Sequence, residues 1–277
     1  MYGSIIGDIC GSIYEFNNYK TDTPENINII HPKCYFTDDT ILSVAIADAI
    51  LSDGDYKKNL LKWAWKYPKS GYGYRFMQWC LNKNPQPYNS YGNGSAMRVG
   101  SIGWAFDTLE QTIDEAKRTA EVTHNHKEGI KGAQAVAGAI FLARNNKTKT
   151  EIKEFIEKEF KYNLNKDLSA VRKKNKFEVS CQKTVPPAIM AFLGSNDFIN
   201  SIQIAISLGG DTDTLACITG SIAEAFYKEI PLSIIDFINK KLDDDMKKII
   251  SKYHEKYLKN YGLEYYIKKG HIINIEA

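Results

Sequence analysis

Two short acidic clusters are the residues of this sequence best suited to chemistry. The first is Thr37-Asp38-Asp39-Thr40, and the second, GGDTDT, runs from Gly209 to Thr214. Each stands between a loop and an apolar helical pattern, where aspartates favour the positive end of a helix. Capping explains either cluster alone, but two clusters with flanking threonines also predict a cation site.

The composition of the two clusters indicates which cation they would hold. Carboxylate and hydroxyl oxygens are hard ligands, suited to Mg²⁺, Mn²⁺ or Ca²⁺. Neither cluster contains His or Cys, which argues against zinc. Carboxylates converging on one place would repel one another strongly unless cations lay between them.

The N-terminal segment adds a third acidic element. Gly3, Gly7 and Gly11 recur every four residues, so they share one face of a helix and permit close contact with another helix. Glu15 follows one turn later, and we expect it to point into the same crowded region. The plain alternative makes Glu15 a surface residue and Asp8 a cap or hydrogen-bond partner.

A loop of small residues is the fourth element, SYGNGSAMR at Ser90 to Arg98. Its Gly92-Asn93-Gly94 run allows φ > 0 and close backbone approach. The N–H groups of the run, leading into a helix at Met97, could cradle a phosphate. The same run could equally be an ordinary turn.

Two histidines in the segment Thr123-His124-Asn125-His126 form the fifth element. Histidines two residues apart could bind a metal. More often such residues cap a helix or hydrogen-bond a polar ligand, so each is structural unless the fold brings it to a cleft.

Helical periodicity dominates the rest of the chain. Apolar residues at helical spacing predict helices over Thr37–Leu51 (with Thr37 as N-cap), Gly129–Arg144, Asp213–Tyr227, Leu232–Lys241 and Asp245–Lys256. Alternation typical of strands is scarce, and one short strand is expected within Tyr265–Ile275. The polar stretch Lys147–Lys176 is interpreted as an exposed helical hairpin or insertion.

Composition bounds the class of protein. The 277 residues, 43% of them hydrophobic, suit one large domain or two small ones. The net charge of +3 falls short of the basic footprint of a dedicated nucleic-acid binder. No sign of a nucleic-acid partner is therefore present, although the charge does not argue against a phosphate-bearing substrate.

Cysteine usage and hydropathy bear on location. The five cysteines include no CxxC pair, which argues against a disulfide framework and favours reduced thiols in the cytosol. No secretory signal and no uncharged apolar run of roughly 20 residues are evident. We expect a cytoplasmic protein with no membrane segment, and a monomer, because no heptad or exposed apolar stripe announces a partner.

Taken together and in this order, the five elements resemble the ADP-ribosylglycohydrolase family. The matching runs are GSIIGDICGSIYE at Gly3 to Glu15, FTDDT at Phe36 to Thr40, SYGNGSAMR at Ser90 to Arg98, TH at Thr123 to His124, and SLGGDTDTLACITGSIAEAFY at Ser207 to Tyr227. The double pattern TDDT plus GGDTDT is specific, whereas any one run alone is not.

The resemblance implies a fold, a cofactor and a set of site residues. It implies an all-α, compact single-domain orthogonal helical bundle over residues 1–277, with a binuclear Mg²⁺ or Mn²⁺ centre in a cleft. The implied metal ligands are Thr37, Asp38, Asp39, Asp211, Asp213 and Thr214. The implied catalytic residues are Glu15 and Asp39. The implied substrate-binding residues are Ser90, Tyr91, Gly92, Asn93, Gly94 and His124.

The activity implied is hydrolysis of the bond between C1″ of the distal ribose of ADP-ribose and its acceptor, which could be an arginine or serine of a protein. Two departures from the family pattern stand out. Glu224 occupies a position where many members have Gly, and Lys228 replaces a final Gly. Both lie late in the last matching helix, away from the expected metals.

Other functions stay open at this point. The substrate could be a small ADP-ribosyl metabolite or ADP-ribose linked to a nucleic acid. A non-catalytic role, like that of a lens crystallin of similar fold, would be favoured by a broken ligand set, but the acidic clusters and Glu15 are all present. A Ca²⁺-binding helical protein ranks lowest because the EF-hand spacing is missing.

Overall fold

A computed structural model of the protein describes residues 1–16 and 18–259. Secondary structure within these residues is helical, apart from an isolated bridge between Gly92 and Ser180. A 3₁₀ turn covers Pro24–Asn26. The α-helices are α1 Tyr2–Gly11, α2 Asp38–Leu51, α3 Tyr56–Lys66, α4 Tyr74–Leu81, α5 Gly94–Met97, α6 Ile102–Ala105, α7 Leu109–Glu121, α8 Lys127–Arg144, α9 Lys149–Phe160, α10 Leu168–Lys174, α11 Cys181–Leu193, α12 Phe198–Ser207, α13 Thr212–Tyr227, α14 Leu232–Asn239 and α15 Asp244–Tyr257.

Two deeply buried helices carry the acidic clusters. In α13 every residue from Thr212 to Ala225 is buried, and the helix contacts α1, α8, α11 and α12. In α2 the residues from Asp39 to Ala49 are buried, between α1, α3 and α15. A helix that is apolar all round belongs in a core. Both helices begin at an acidic turn, so the fold places those turns at the edge of its core.

Helix α1 lies antiparallel against α13 at very short range. A Cβ atom added to Gly7 would stand 2.0 Å from the carbonyl oxygen of Ala216, so only glycine allows this approach. The Thr212 hydroxyl donates to the carbonyl oxygen of Gly11 at 2.9 Å. The expected close contact of the glycine face is confirmed, and it brings the end of α1 beside the start of α13.

The predicted helices are present with small shifts at their ends. Thr37 is the N-cap of α2, because its side chain accepts a hydrogen bond from the amide of Asp39. Helices α8 and α13 begin one or two residues before their predicted starts. The strand expected within Tyr265–Ile275 lies outside the described residues.

The polar stretch Lys147–Lys176 is more than an exposed hairpin. Its first helix, α9, buries Ile152, Ile156 and Phe160 and packs against α8. Its second helix, α10, contacts α11 and buries Arg172. The described residues form a single compact all-helical domain, as predicted. The extension of that domain over all of 1–277 stays a prediction.

Candidate active site

The two acidic turns meet in one cleft. The Thr214 hydroxyl donates to Oδ2 of Asp39 at 3.3 Å, across 175 residues of sequence. The cleft has a volume of about 730 Å³. All six predicted metal ligands and both predicted catalytic residues line it: Glu15, Thr37, Asp38, Asp39, Asp211, Asp213 and Thr214.

Glu15 reaches the cluster by a route that the sequence did not indicate. Helix α1 ends at Gly11, and residues 12–16 form a turn, so the expectation that Glu15 continues the helix face is wrong. One carboxylate oxygen each from Glu15, Asp211 and Asp213 nevertheless lie within 4.8 Å of one another. The turn therefore places Glu15 beside the start of α13, which is the position that was expected for it from a continued helix.

The cluster is strongly acidic, and among the described residues no ion pair offsets its negative charge. Burial, followed by the charges of Asp8 and Asp211, raises the pKa of Asp38 well above its usual range. Burial, followed by the charges of neighbouring aspartates, likewise raises the pKa values of Asp39 and Asp213 well above that range. In the part of the chain that the structure describes, no lysine or arginine forms an ion pair with these carboxylates.

The donor set fits a hard divalent cation. Oδ1 of Asp39 is buried without a hydrogen-bond partner, which is costly for a carboxylate oxygen unless a ligand completes it. The surrounding oxygens are carboxylates and hydroxyls, the ligands that Mg²⁺, Mn²⁺ and Ca²⁺ prefer. The Thr37 hydroxyl donates its proton to Oδ1 of Asp8 at 2.7 Å, which leaves a lone pair of its oxygen free to face a cation.

Asp8 holds the first acidic turn in place. Its carboxylate accepts hydrogen bonds from the amides of Thr37 and Thr40, at 2.9 and 3.0 Å, in addition to the Thr37 hydroxyl. Asp8 is fully buried. The plain interpretation of Asp8 as a hydrogen-bond partner is therefore confirmed, and the helix start at Asp38 depends on it.

The second acidic turn is held by the Lys-rich stretch, which sequence reasoning missed. Gly209 and Gly210 have φ values of +69° and +82°, a region that favours glycine. The Asn175 side-chain amide donates to the carbonyl oxygens of Leu208 and Gly209. Arg172 donates to the carbonyl and hydroxyl oxygens of Ser207. Neither residue carries a sequence signal for this role, because both depend on a contact between distant segments.

The Gly-Asn-Gly loop differs from its predicted geometry. Gly92 and Gly94 do not have positive φ, and α5 begins at Gly94 instead of Met97. The amide of Gly92 donates to the Ser90 hydroxyl, and the amide of Asn93 donates to the carbonyl of Val179 at 2.7 Å. Those two amides are therefore engaged within the protein, so the cradle expected for a phosphate is smaller than the sequence indicated.

Asn93 has a second task within this loop. Its side-chain amide donates to Oδ2 of Asp211 at 2.6 Å and to the Thr184 hydroxyl at 3.2 Å. A predicted substrate-binding residue thus also fixes a predicted metal ligand. The loop and the second acidic turn form one connected unit.

Most of the predicted substrate-binding residues line the cleft, and one of them lies outside it. Ser90, Gly92, Gly94 and His124 line the cleft together with Asn93. Tyr91 does not line it; its side chain is 49% exposed and stands beside the ring of His126. His126 is the N-cap of α8, accepting from the amide of Glu128, as expected for a histidine with a structural role.

A model of the ADP-ribosylglycohydrolase family matches residues 1–262. The chain belongs to this family. Human ADP-ribosylhydrolase ARH3 is 26% identical over 81% of this chain and 83% of that protein. The ADP-ribosylarginine hydrolase Tri1 of Pseudomonas putida is 24% identical over 82% of this chain and 69% of that protein. Family and relatives together make this protein a glycohydrolase that acts on ADP-ribosyl bonds.

A solved structure of an ADP-ribosylglycohydrolase-related protein complex shares the fold. It superposes with a TM-score of 0.72, at 21% identity, over 92% of this chain and 95% of that one. Among the residues that the structure describes, no helix is long and apolar enough to cross a membrane.

Glu224, a departure from the family pattern, acts at the far end of α1. Its carboxylate is fully buried and accepts from the amides of Tyr2 and Gly3, at 3.1 and 2.8 Å, and from the Met1 amino group. Free amides at a helix start attract a carboxylate. Glu224 thus caps α1, and the expectation that it stays clear of the metal ligands is consistent with this position.

Proposed function

We propose that this ADP-ribosylglycohydrolase is a metal-dependent enzyme that cleaves the C1″ glycosidic bond of ADP-ribose attached to a protein side chain. The observation that carries the proposal is the convergence of Glu15, Asp38, Asp39, Asp211 and Asp213 on one cleft, where no lysine or arginine of the described residues pairs with them. Such a cluster is stable at neutral pH only if protons or bound cations offset its charge.

The residues that would hold two Mg²⁺ or Mn²⁺ ions are those of the two acidic turns. They are Thr37, Asp38, Asp39, Asp211, Asp213 and Thr214. When bound, the two ions would fix the ribose hydroxyls and lower the pKa of a water toward neutrality.

Glu15 and Asp39 are the proposed catalytic residues. Burial and the charge of Asp211 raise the pKa of Glu15 to about 7, which suits a group that takes up and returns a proton at neutral pH. Its partial exposure at the mouth of the cleft gives it access to water. Asp39, whose Oδ1 has no hydrogen-bond partner among the described residues, would orient the attacking water.

The rest of the cleft suits the remainder of ADP-ribose. Its volume of about 730 Å³ lies within the range of small-molecule sites. Ser90, Gly92, Asn93, Gly94 and His124 would hold the diphosphate and adenosine, with Tyr91 at the outer edge. Binding energy from this part aligns the distal ribose, and the carboxylates favour the oxocarbenium character of the transition state.

Release of ADP-ribose from defined peptides tests the proposal. Arginine-linked and serine-linked ADP-ribosyl peptides are incubated with the protein in Mg²⁺, in Mn²⁺ and in EDTA. We expect metal-dependent release from at least one of them, with arginine first because Tri1 is named for that linkage. Asp213→Asn should be inactive, whereas Glu224→Gln, the same change of carboxylate to amide outside the cleft, should be active.

Two results would change the assignment. Release that persists in EDTA would contradict the metal requirement. Release only from a small ADP-ribosyl ester or from an ADP-ribosylated oligonucleotide would replace the protein acceptor with that substrate. Location in the cytoplasm and a monomeric state stay predictions, which fractionation and light scattering would check.

A further inference from the structure

Arg98 is a buried cation that forms no ion pair with a carboxylate in the described part of the chain. Its side chain is fully buried and belongs to the lining of the cleft. One terminal nitrogen donates to the carbonyl oxygen of Thr119 at 2.6 Å and to the Thr123 hydroxyl at 3.0 Å. A guanidinium can only donate, so it fixes the direction of every hydrogen bond that it makes.

The Thr123 hydroxyl accepts from Arg98 and also lies within hydrogen-bond distance of His124. Its oxygen lies 2.7 Å from Nδ1 of His124, and it has no other partner than Arg98 within the described residues. If Nδ1 carried a proton, the oxygen would accept twice and the buried hydroxyl proton would have no acceptor. Leaving a buried donor unsatisfied costs about 1–3 kcal/mol. The favoured arrangement therefore has the hydroxyl donating to a bare Nδ1.

A bare Nδ1 places the proton of a neutral imidazole on Nε2. Burial and the positive charges of Arg98 and Arg75 hold the pKa of His124 well below its usual range, so the ring is neutral at pH 7. Nε2 has no hydrogen-bond partner in the described part of the chain. It faces the glycine loop, where Cβ atoms added to Gly92 and Gly94 would stand 3.5 and 3.3 Å away.

We propose that Arg98 and Thr123 are positioning residues that hold His124 as an Nε2–H donor aimed into the cleft, where it donates to an oxygen of the bound ADP-ribose. This inference rests on the proposed function for the identity of the ligand. It specifies which nitrogen of His124 carries the proton and assigns a positioning role to Arg98 and Thr123. The absence of side chains at Gly92 and Gly94 leaves the donor open to the ligand.

Nitrogen-detected NMR of the histidine side chains tests the first half of the proposal without substrate. In the wild-type protein we expect the His124 signals of a neutral ring with a protonated Nε2 and an unprotonated Nδ1, assigned by their loss in His124→Gln. Thr123→Ser keeps the hydroxyl and should keep this tautomer. Thr123→Val keeps the shape but not the hydroxyl, and should shift the ring toward a mixture of tautomers.

Calorimetric binding of ADP-ribose tests the second half. We expect Thr123→Ser to bind within about twofold of wild type and Thr123→Val to bind about 10-fold more weakly, the loss of one hydrogen bond. A protonated Nδ1 in the wild type, or unchanged tautomer and affinity in Thr123→Val, would overturn the proposal. Correct tautomer with no ADP-ribose binding by the wild type would instead count against the proposed function.

Discussion

Buried carboxylates lie at both ends of the α1–α13 helix pair, about 16 Å apart along α13, and their surroundings differ. Glu224 meets two amide N–H groups and an amino group. At the start of the same helix, burial and then the charges of Asp211, Asp39 and Asp8 raise the pKa of Asp213. Only the amide of Thr214 donates to it within the described residues.

We interpret this difference as a difference in role: Glu224 stabilises the fold, whereas the cleft carboxylates are proposed to bind a ligand. Glu224 is matched by donors in the protein, so its charge is stabilised as soon as the chain folds. The cleft carboxylates accept single hydrogen bonds from Asn93 and Thr214 but pair with no lysine or arginine among the described residues, so their mutual repulsion destabilises the metal-free fold. Proteins retain such groups where function requires them, at a cost in stability.

Removing one cleft carboxylate should have the largest effect. Asp213→Asn should lower kcat/KM for ADP-ribose release more than about 100-fold, because a proposed metal ligand is lost. The same change should raise the free energy of unfolding of the metal-free protein by about 1 kcal/mol, because it relieves repulsion. Kinetics and urea unfolding in EDTA measure the two effects; wild-type activity with unchanged metal content would refute the assignment.

Substitution of Asp8 should affect both metal binding and turnover. Asp8 is a buried carboxylate that accepts hydrogen bonds from the protein, and those bonds hold the first acidic turn of the cleft. Asp8→Asn should weaken metal binding and turnover by about 10–100-fold, because the Thr37 hydroxyl loses its acceptor and the turn loosens. Titration with Mn²⁺ in parallel with kinetics measures both. Normal metal affinity in this variant would show that the turn does not need Asp8.

Glu224→Gln should have the opposite effects to Asp213→Asn: it should lower stability and leave turnover nearly unchanged. Breaking the buried contact with the Met1 amino group should lower the free energy of unfolding by about 3–5 kcal/mol. The kcat of the folded enzyme should stay within about twofold of wild type. Unfolding and kinetics at a temperature where the variant is fully folded provide the check, and a large loss of kcat would mean that the two ends of the helix pair are coupled.

The pH dependence of stability should show the proton uptake of the cleft carboxylates in the metal-free protein. The pKa of Glu15 is raised to about 7 and that of Asp8 to about 6 in the fold. The folded state therefore binds more protons than the unfolded chain between about pH 4 and 7, so metal-free stability falls as pH rises through this window. Unfolding series in EDTA and in Mg²⁺ measure it. Bound cations should flatten the curve; an identical slope in both would contradict the account.

The two acidic turns could be predicted because each is a local pattern. Carboxylates before an apolar helix indicate a helix start wherever they occur, and glycines every four residues indicate a close helix contact. The glycine pattern places the start of α13 beside the end of α1, and the hydrogen bonds from Thr37 and Thr40 to Asp8 of α1 bring the first acidic turn to the same place. The turn that carries Glu15 ends α1 early, so its direction was not readable from helical spacing.

Residues that hold the site through distant contacts could not be predicted. Asn175 and Arg172 lie in a lysine-rich stretch whose composition is typical of a solvated surface, yet they bind the turn before Asp211. Glu224 differs from the family pattern and acts at the start of α1. In each case the partners include backbone groups of a distant segment, and because every residue has the same backbone, the sequence does not indicate which of them is the partner.

The most direct test of the central claim is a count of divalent cations against activity. The protein is stripped with EDTA and titrated with Mn²⁺, while bound ion is followed by electron paramagnetic resonance and ADP-ribose release by chromatography. We expect two Mn²⁺ per chain in the wild type, activity that returns as they bind, and loss of both in Asp213→Asn. Full activity in the stripped protein, with no bound ion, would contradict it.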